Sequence, residues 1–190
     1  MKIWRLYHDQ DKYAQIAPIS SFDEDGVANP LHDARKSWTS NWKTPDVKEV
    51  RFKGTKWVDV NSYLIMPLCN TKTKKALICL IENSVEWLPV NVQRKNKKME
   101  INEHFILHVT NMVDALDYEN SAVRYSPYDN QSIIWIDKFS FLEEKISGQH
   151  IFKLPEMPKN HVFVSDKFRN LVIDNRIIGW EFIEEWDSEK

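Results

Sequence analysis

Two stretches of this chain, 95 residues apart, spell the same order of strand, helix cap, helix, turn and strand. Asn70 aligns with Ser165 as a cap, Lys72 with Lys167, and Ala76 and Leu77 with Leu171 and Val172. Glu86, Trp87 and Leu88 then align with Glu181, Phe182 and Ile183. A short helix with one apolar face has to bury that face against strands. The pattern therefore predicts an α+β fold with mostly antiparallel sheet, two or more packed helices and two similar strand-helix-strand units. At 190 residues the chain suits a single domain, 1–190, which such a repeat would divide into an N-terminal lobe 1–100 and a C-terminal lobe 101–190.

Period-two alternation marks further strands: 2–7 (KIWRLY), 47–53 (VKEVRFK), 62–68 (SYLIMPL), 85–92 (VEWLPVNV), 103–110 and 161–164. Pro89 argues that the fourth of these is an edge strand or holds a bulge, because proline has no N–H for a ladder. The run 132–137 (SIIWID) is apolar enough for a buried strand, 151–154 for a short one, and 180–186 closes the chain as a strand after a turn at Gly179. Helices are expected over 71–82 and 166–174, with one or two helical turns in 138–146. Residues 8–45, which hold Pro18, Gly26, Pro30 and Pro45, lack a period. So long a stretch either hides a short helix or wraps the surface with Trp38 and Trp42 as anchors.

Eight Trp, nine Phe and six Tyr supply enough large apolar surface for a core without staples. Cys69 and Cys79 have no metal-ligand spacing and read as reduced thiols, as a reducing cytoplasm would keep them. The opening MKIWRLYHDQD has no apolar stretch after its lysine and so is not a signal peptide, and no run approaches the ~20 apolar residues of a membrane span. A soluble, cytoplasmic protein is expected. The four glycines, Gly26, Gly54, Gly148 and Gly179, are scattered, whereas a phosphate cradle needs them clustered. Net charge of −2 favours neither a nucleic-acid binder nor an acidic mimic of nucleic acid. The basic run Arg94, Lys95, Lys97, Lys98 reads as a solvated hairpin tip.

Groups that could carry chemistry each have a plainer reading. His104 and His108 would share a face of a strand but lie ~13 Å apart at 3.3 Å per residue, too far for one ion. His8, His32, His150 and His161 add no third ligand by spacing. Asp114, Asp117, Glu119 and Ser121 lack the alternating oxygens and glycine of a calcium loop, and fit a turn closed by side-chain bonds to backbone. Ser165 follows a strand and opens a helix, yet Val164, Asp166 and Lys167 are too bulky for a nucleophile elbow, so a cap explains it. No catalytic residue, metal site or cofactor is assigned. Trp87, Trp135 and Trp180 lie on patterned strands and read as core, which leaves Trp38 and Trp42 as the surface candidates.

Three stretches in order then resemble a known family: VEWLPVNV (85–92), HFILHVTNMVDALDYENS (104–121) and FKLPEMPKNHVFVSDKFRNLVIDNRIIGWEFIEEWD (152–187). They are similar to bacterial immunity proteins of polymorphic and contact-dependent toxin systems, in the group first described from a myxobacterial protein of unknown function. The family's "EflPV" strand falls on Glu86 to Val90, with Trp87 for its usual Phe. Its "vvdalDxexS" segment falls on Val113 to Ser121, and its "vfvSdxfkxxlxxxxlxGfeFxxxw" ending on Val162 to Trp186. Coverage runs from about residue 60 to 187, and the first 55 residues have no recognised counterpart.

The resemblance implies an α+β protein that binds a cognate toxin domain and neutralises it in the cytoplasm of the producing cell, with no catalysis of its own. The toxin-binding candidates are Trp38, Trp42, Asp114, Asp117, Glu119, Glu184, Glu185 and Asp187. Neither nucleic acid nor membrane is expected as a partner. Two other classes stay open at this point: a small enzyme or metal-dependent ligand-binding protein using His104/His108 and Asp114/Asp117, and a non-catalytic scaffold module.

Overall fold

The structure is a computed structural model that describes residues 1–9, 11–19, 35–50, 56–63 and 66–190. Its strands are β1 (Lys2–Tyr7), β2 (Gln15–Pro18), β3 (Asp46–Val50), β4 (Val60–Tyr63), β5 (Met66–Asn70), β6 (Val85–Gln93), β7 (Met99–Val109), β8 (Ala122–Tyr125), β9 (Ile133–Lys138), β10 (Ile151–Phe152), β11 (Phe163–Ser165) and β12 (Glu181–Asp187). Its helices are α1 (Thr71–Ile81), α2 (Glu143–Ile146) and α3 (Asp166–Asp174). Residues 51–53 of the strand read over 47–53, residues 64–65 of that read over 62–68, and Gly26, Pro30, His32 and Gly54 lie outside the described residues.

The two helices start where the caps predict. Asn70 Oδ1 accepts from Thr73 N–H at 3.0 Å, and Ser165 Oγ accepts from Phe168 N–H at 3.3 Å, each satisfying one of the orphan donors of a first turn. Both helices then cross between strands of one sheet. Strands β5 and β6 are each antiparallel to β7, which lies between them. Strands β11 and β12 are each antiparallel to β1, which lies between those. Both copies of the sequence repeat are thus split strand-helix-strand units, with a third strand inserted between the parallel pair. In the first unit the inserted strand follows directly as a hairpin; in the second it is the N-terminal strand of the chain.

Each unit sits in its own sheet, and the α+β class holds. The first belongs to a closed six-stranded barrel ordered β2-β3-β6-β7-β5-β4, the second to a four-stranded sheet ordered β10-β11-β1-β12. Alternation sends Val47, Leu68, Leu88, Val90, Val92 and Ile106 into the barrel, where Ile16, Tyr63 and Trp38 join them. The opposite face of the same strands presents Cys69, Val85, Leu107 and Val109 to α1 and α3, which meet Val164 and Ile151 of the second sheet through Leu77, Ile81, Phe168 and Val172. Behind that sheet lies a third cluster around Ile3, Phe139, Phe141, Phe152 and Phe163. The helices are therefore shared between the barrel and the sheet.

Pro89 lies within β6, which pairs with β7 on one side and with β3 on the other, and the bulge falls next to it, between Val90 and Val92. Strand β3 reaches only Asn91 to Gln93. Beside Glu86 to Pro89 the place of a neighbouring strand is taken by residues 37–42. Trp42 Nε1–H donates to Pro89 O at 2.8 Å, and the Glu86 carboxylate accepts from Trp38 N–H at 2.8 Å and from the hydroxyls of Thr39 and Ser37. Of the segment without a period, Gln15–Pro18 forms strand β2, which the sequence does not predict, and residues 37–42 are held by the strand they cover, with Trp38 and Trp42 as anchors. The run Arg94 to Lys98 forms the β6–β7 tip, and its lysines are exposed.

Candidate functional site

Strands β8 and β9 pair only with each other. A two-stranded ribbon can pack one face and leaves the other open. Val123, Ile133 and Ile136 turn inward onto the phenylalanine cluster. The outward side carries Ile134 and Trp135, and Tyr118 just before the ribbon, Tyr125 at the end of β8 and Tyr128 at the tip are exposed around it; Tyr128 is 97% exposed and Trp135 43%. SIIWID is therefore a strand, as its composition predicts, but not a buried one. An apolar run cannot by itself distinguish a strand buried on both faces from one whose second face awaits a partner. Trp135 is the tryptophan most open to solvent, whereas Trp38 is 7% exposed.

The tip is ordered by its own polar residues. Ser126 Oγ accepts from Tyr128 N–H at 3.2 Å, and Ser126 O accepts from Asn130 N–H at 2.9 Å. The Asp129 carboxylate accepts from Gln131 N–H and Ser132 N–H, both at 3.0 Å, and from the Ser132 hydroxyl. These bonds, the hydroxyl's foremost, hold the Asp129 carboxyl down at about 2. Across the ribbon the Arg124 guanidinium is clamped on the Asp137 carboxylate. At the body, Trp135 meets His161 edge-on at 5.8 Å, and His161 in turn meets Phe139 and Phe163. Burial, with Arg5 nearby, pushes His161 down to about 4, so this ring is neutral near pH 7.

The predicted acidic residues gather near the base of this ribbon. Asp117 closes a turn, accepting from Glu119 N–H at 3.1 Å, Asn120 N–H at 3.3 Å and the Asn120 side-chain amide at 2.6 Å. The Asn120 amide foremost holds that carboxyl below its ordinary range. This is the turn role that aspartate and asparagine chemistry predicts. A cleft of about 380 Å³ separates the turn from the C-terminal strand, lined by Asn120, Lys138, Ser140, Glu184, Glu185 and Asp187 among others. The carboxylates of its far wall are paired: Glu184 with Lys2 at 2.7 Å and Lys190 at 2.8 Å, Glu185 with Arg5 at 2.6 Å, and Asp187 with Lys2 at 3.3 Å. Asp114 and Glu119 are exposed, and among the described residues neither forms an ion pair.

The histidine pair lies elsewhere. His104 and His108 share one face of β7, as a strand requires, and both are buried. His104 Nε2–H donates to Glu100 at 2.7 Å, and His108 Nε2 lies 3.0 Å from Lys36 O. Each ring thus has its own local partner. Among the described residues no three His, Cys, Asp or Glu side chains gather as a metal site. Ser165 caps α3 and also lies 3.0 Å from His150 Nδ1.

The immunity protein family Imm11 matches residues 33–186. The chain belongs to that family. No curated protein matches it. The Imm11 match begins 27 residues before β4 and so takes in Trp38 and Trp42, which the resemblance in the sequence leaves uncovered. It also spans the ribbon, the Asp117 turn and nearly all of β12. No helix among the described residues is long and apolar enough to cross a membrane. Sequence reasoning does not mark Tyr118, Tyr125, Tyr128 or Ile134, and it reads Trp135 as core, where the structure leaves it exposed. A usable signal exists in SPYDN between AVRY and SIIWID, where turn residues separate two strand-like runs in a hairpin pattern.

Proposed function

We propose that this Imm11 protein neutralises a cognate toxin domain by binding it, in the cytoplasm of the cell that makes both, and performs no chemistry of its own. The observation that carries this reading is the family match across residues 33–186. The surface is consistent with it. Tyrosine and tryptophan, the residues that most often dominate protein–protein binding energy, stand open on a braced ribbon. Asp117 and Ser165 are engaged in closing a turn and capping a helix.

Co-expression tests the reading. Cells that make the toxin domain encoded beside this chain should survive when the chain is present, and the two purified proteins should co-elute on a sizing column. Continued killing together with separate elution would sink it.

A further inference from the structure

We infer that the toxin docks on the open face of the β8–β9 ribbon, and that the surface it brings is an apolar pocket rimmed by lysine and arginine. This rests on the immunity reading and gives it a place and a partner chemistry.

The first support is the concentration of aromatic side chains. Tyr118, Tyr125, Tyr128 and Trp135 are all exposed within one excursion of the chain, with Ile134 beside them. An amphipathic ring with two rotatable bonds buries much area at low entropic cost, and tyrosine, serine and asparagine, all present in this stretch, are enriched in adaptable binding loops. The second support is pre-organisation. The Ser126 and Asp129 bonds fix the tip before any partner arrives, the Arg124–Asp137 clamp ties the strands, and Ile136 and Val123 anchor the ribbon to the core. Binding then spends little on ordering the loop.

The third support is charge, which selects the partner. Residues 114–138, through the end of β9, hold five carboxylates against Arg124 and Lys138, a local net charge of −3, whereas the whole chain carries −2. The guanidinium is occupied by Asp137 and Lys138 lies at the body end of β9, and among the described residues Asp114 and Glu119 form no ion pair. A near-neutral chain thus concentrates negative charge beside its exposed aromatics, which favours a basic partner surface through steering and complementarity. The lysines of the β6–β7 tip belong to the barrel, of which the ribbon is no part, so they serve as the control.

Association with the toxin domain encoded by the neighbouring gene, in a catalytically inactive form, is measured by surface plasmon resonance alongside rescue of cells from the active form. Tyr128→Ala and Trp135→Ala should each weaken binding about tenfold or more. Tyr128 is almost fully exposed, so its variant should unfold at the wild-type temperature and report on docking alone. The double variant Asp114→Lys/Glu119→Lys should slow association about tenfold at low salt, with the difference shrinking at 0.5 M salt. Lys95→Glu/Lys98→Glu should leave affinity unchanged. Wild-type rescue with unaltered binding by Tyr128→Ala and Trp135→Ala overturns the docking face while the immunity reading stands. Wild-type protein that neither binds nor rescues overturns both. Charge reversal that leaves association unchanged overturns the basic partner. A wild-type dimer lost in Tyr128→Ala would assign the face to a second copy and overturn the proposal.

Discussion

A Cβ placed on Gly179 would lie 2.1 Å from the carbonyl oxygen of Val60. The contact is a seam between the two sheets: Gly179 leads into β12, Val60 opens β4, and Val60 N–H donates to Ile178 O at 3.0 Å. Gly179 also has a φ of +127°, which residues with a side chain rarely adopt. Gly179→Ala therefore meets backbone on one side and torsional strain on the other, with no flexible side chain to give way. A loss of about 3 kcal/mol or more is expected. It should be read as a lower urea midpoint at unchanged slope; a midpoint within experimental error of wild type would contradict the seam.

The same seam carries a carboxylate. Asp59 accepts from Ile178 N–H at 3.0 Å, Asn70 Nδ2–H at 2.9 Å and Lys72 Nζ at 3.0 Å. Burial alone would raise its pKa, but these bonds outweigh burial and hold it below its ordinary 3.8. A depressed folded value means that the stabilisation is fully present above 3.8 and is lost as pH falls through the folded value. Asp59→Asn should cost about 1 kcal/mol at pH 7, allowing for solvent screening. The gap to wild type should close once the pH falls below the depressed folded value, where both side chains are neutral. Urea titrations at pH 7 and at the acid limit measure it; a gap that persists in acid would show that charge is not the cause.

How much of this was legible depended on range. Asn70 and Ser165 cap their helices because a capping oxygen and the N–H that donates to it are three residues apart, so the pairing is set by local sequence. The split of each unit did not show, because the inserted strand is chosen by distant pairing: Ile3 lies opposite Ser165 and Trp186. Barrel closure is equally remote from local pattern, since it rests on the parallel pairing of Gln15 with Ser62 and of Val47 with Val92. Among the candidate contacts, the Asp117 turn was readable from its own residues. The sequence places Trp38 at the surface and Trp135 in the core, and the structure reverses both. Trp38 lies outside any strand yet packs into the barrel, and Trp135 stands on the exposed side of β9, because pattern reports that a strand exists and not what covers it.

His161 offers a second pH window. Its ordinary value of 6.5 is lowered to about 4 by burial and by Arg5. The unfolded chain takes up a proton below 6.5 and the folded one resists until about 4, so this residue's share of stability is complete above 6.5 and falls away as the pH drops toward 4. His161→Phe keeps a ring against Phe139 and Phe163 and removes the titration. The variant's stability should fall less steeply than wild type between those limits, by up to ~1.4 kcal/mol per pH unit and less in practice because the ring is only half-buried. Parallel slopes for the two proteins would remove His161 as the source.

The relation between the two units predicts a rearranged chain. In the first, β6 and β7 form a hairpin around the basic tip; in the second, β12 and β1 pair in the same antiparallel sense with no connection. Both pairs contain a bulge, between Val90 and Val92 in one and between Ile3 and Trp4 in the other. The ends are already in contact: Ser188 N–H donates to Met1 O at 3.0 Å, and the Met1 ammonium donates to Ser188 Oγ at 2.7 Å. Joining Lys190 to Met1 through a few glycines and opening the chain at the exposed tip, between Asn96 and Lys97, converts the second unit into the arrangement of the first. Neither change breaks a buried contact, and termini that lie together tolerate such permutation. The permutant should fold with native circular dichroism and a stability within about 2 kcal/mol of the parent. If it proves unfolded while the parent is stable, the β6–β7 and β12–β1 pairs are not equivalent, and the repeat in the sequence reflects local helix signals alone.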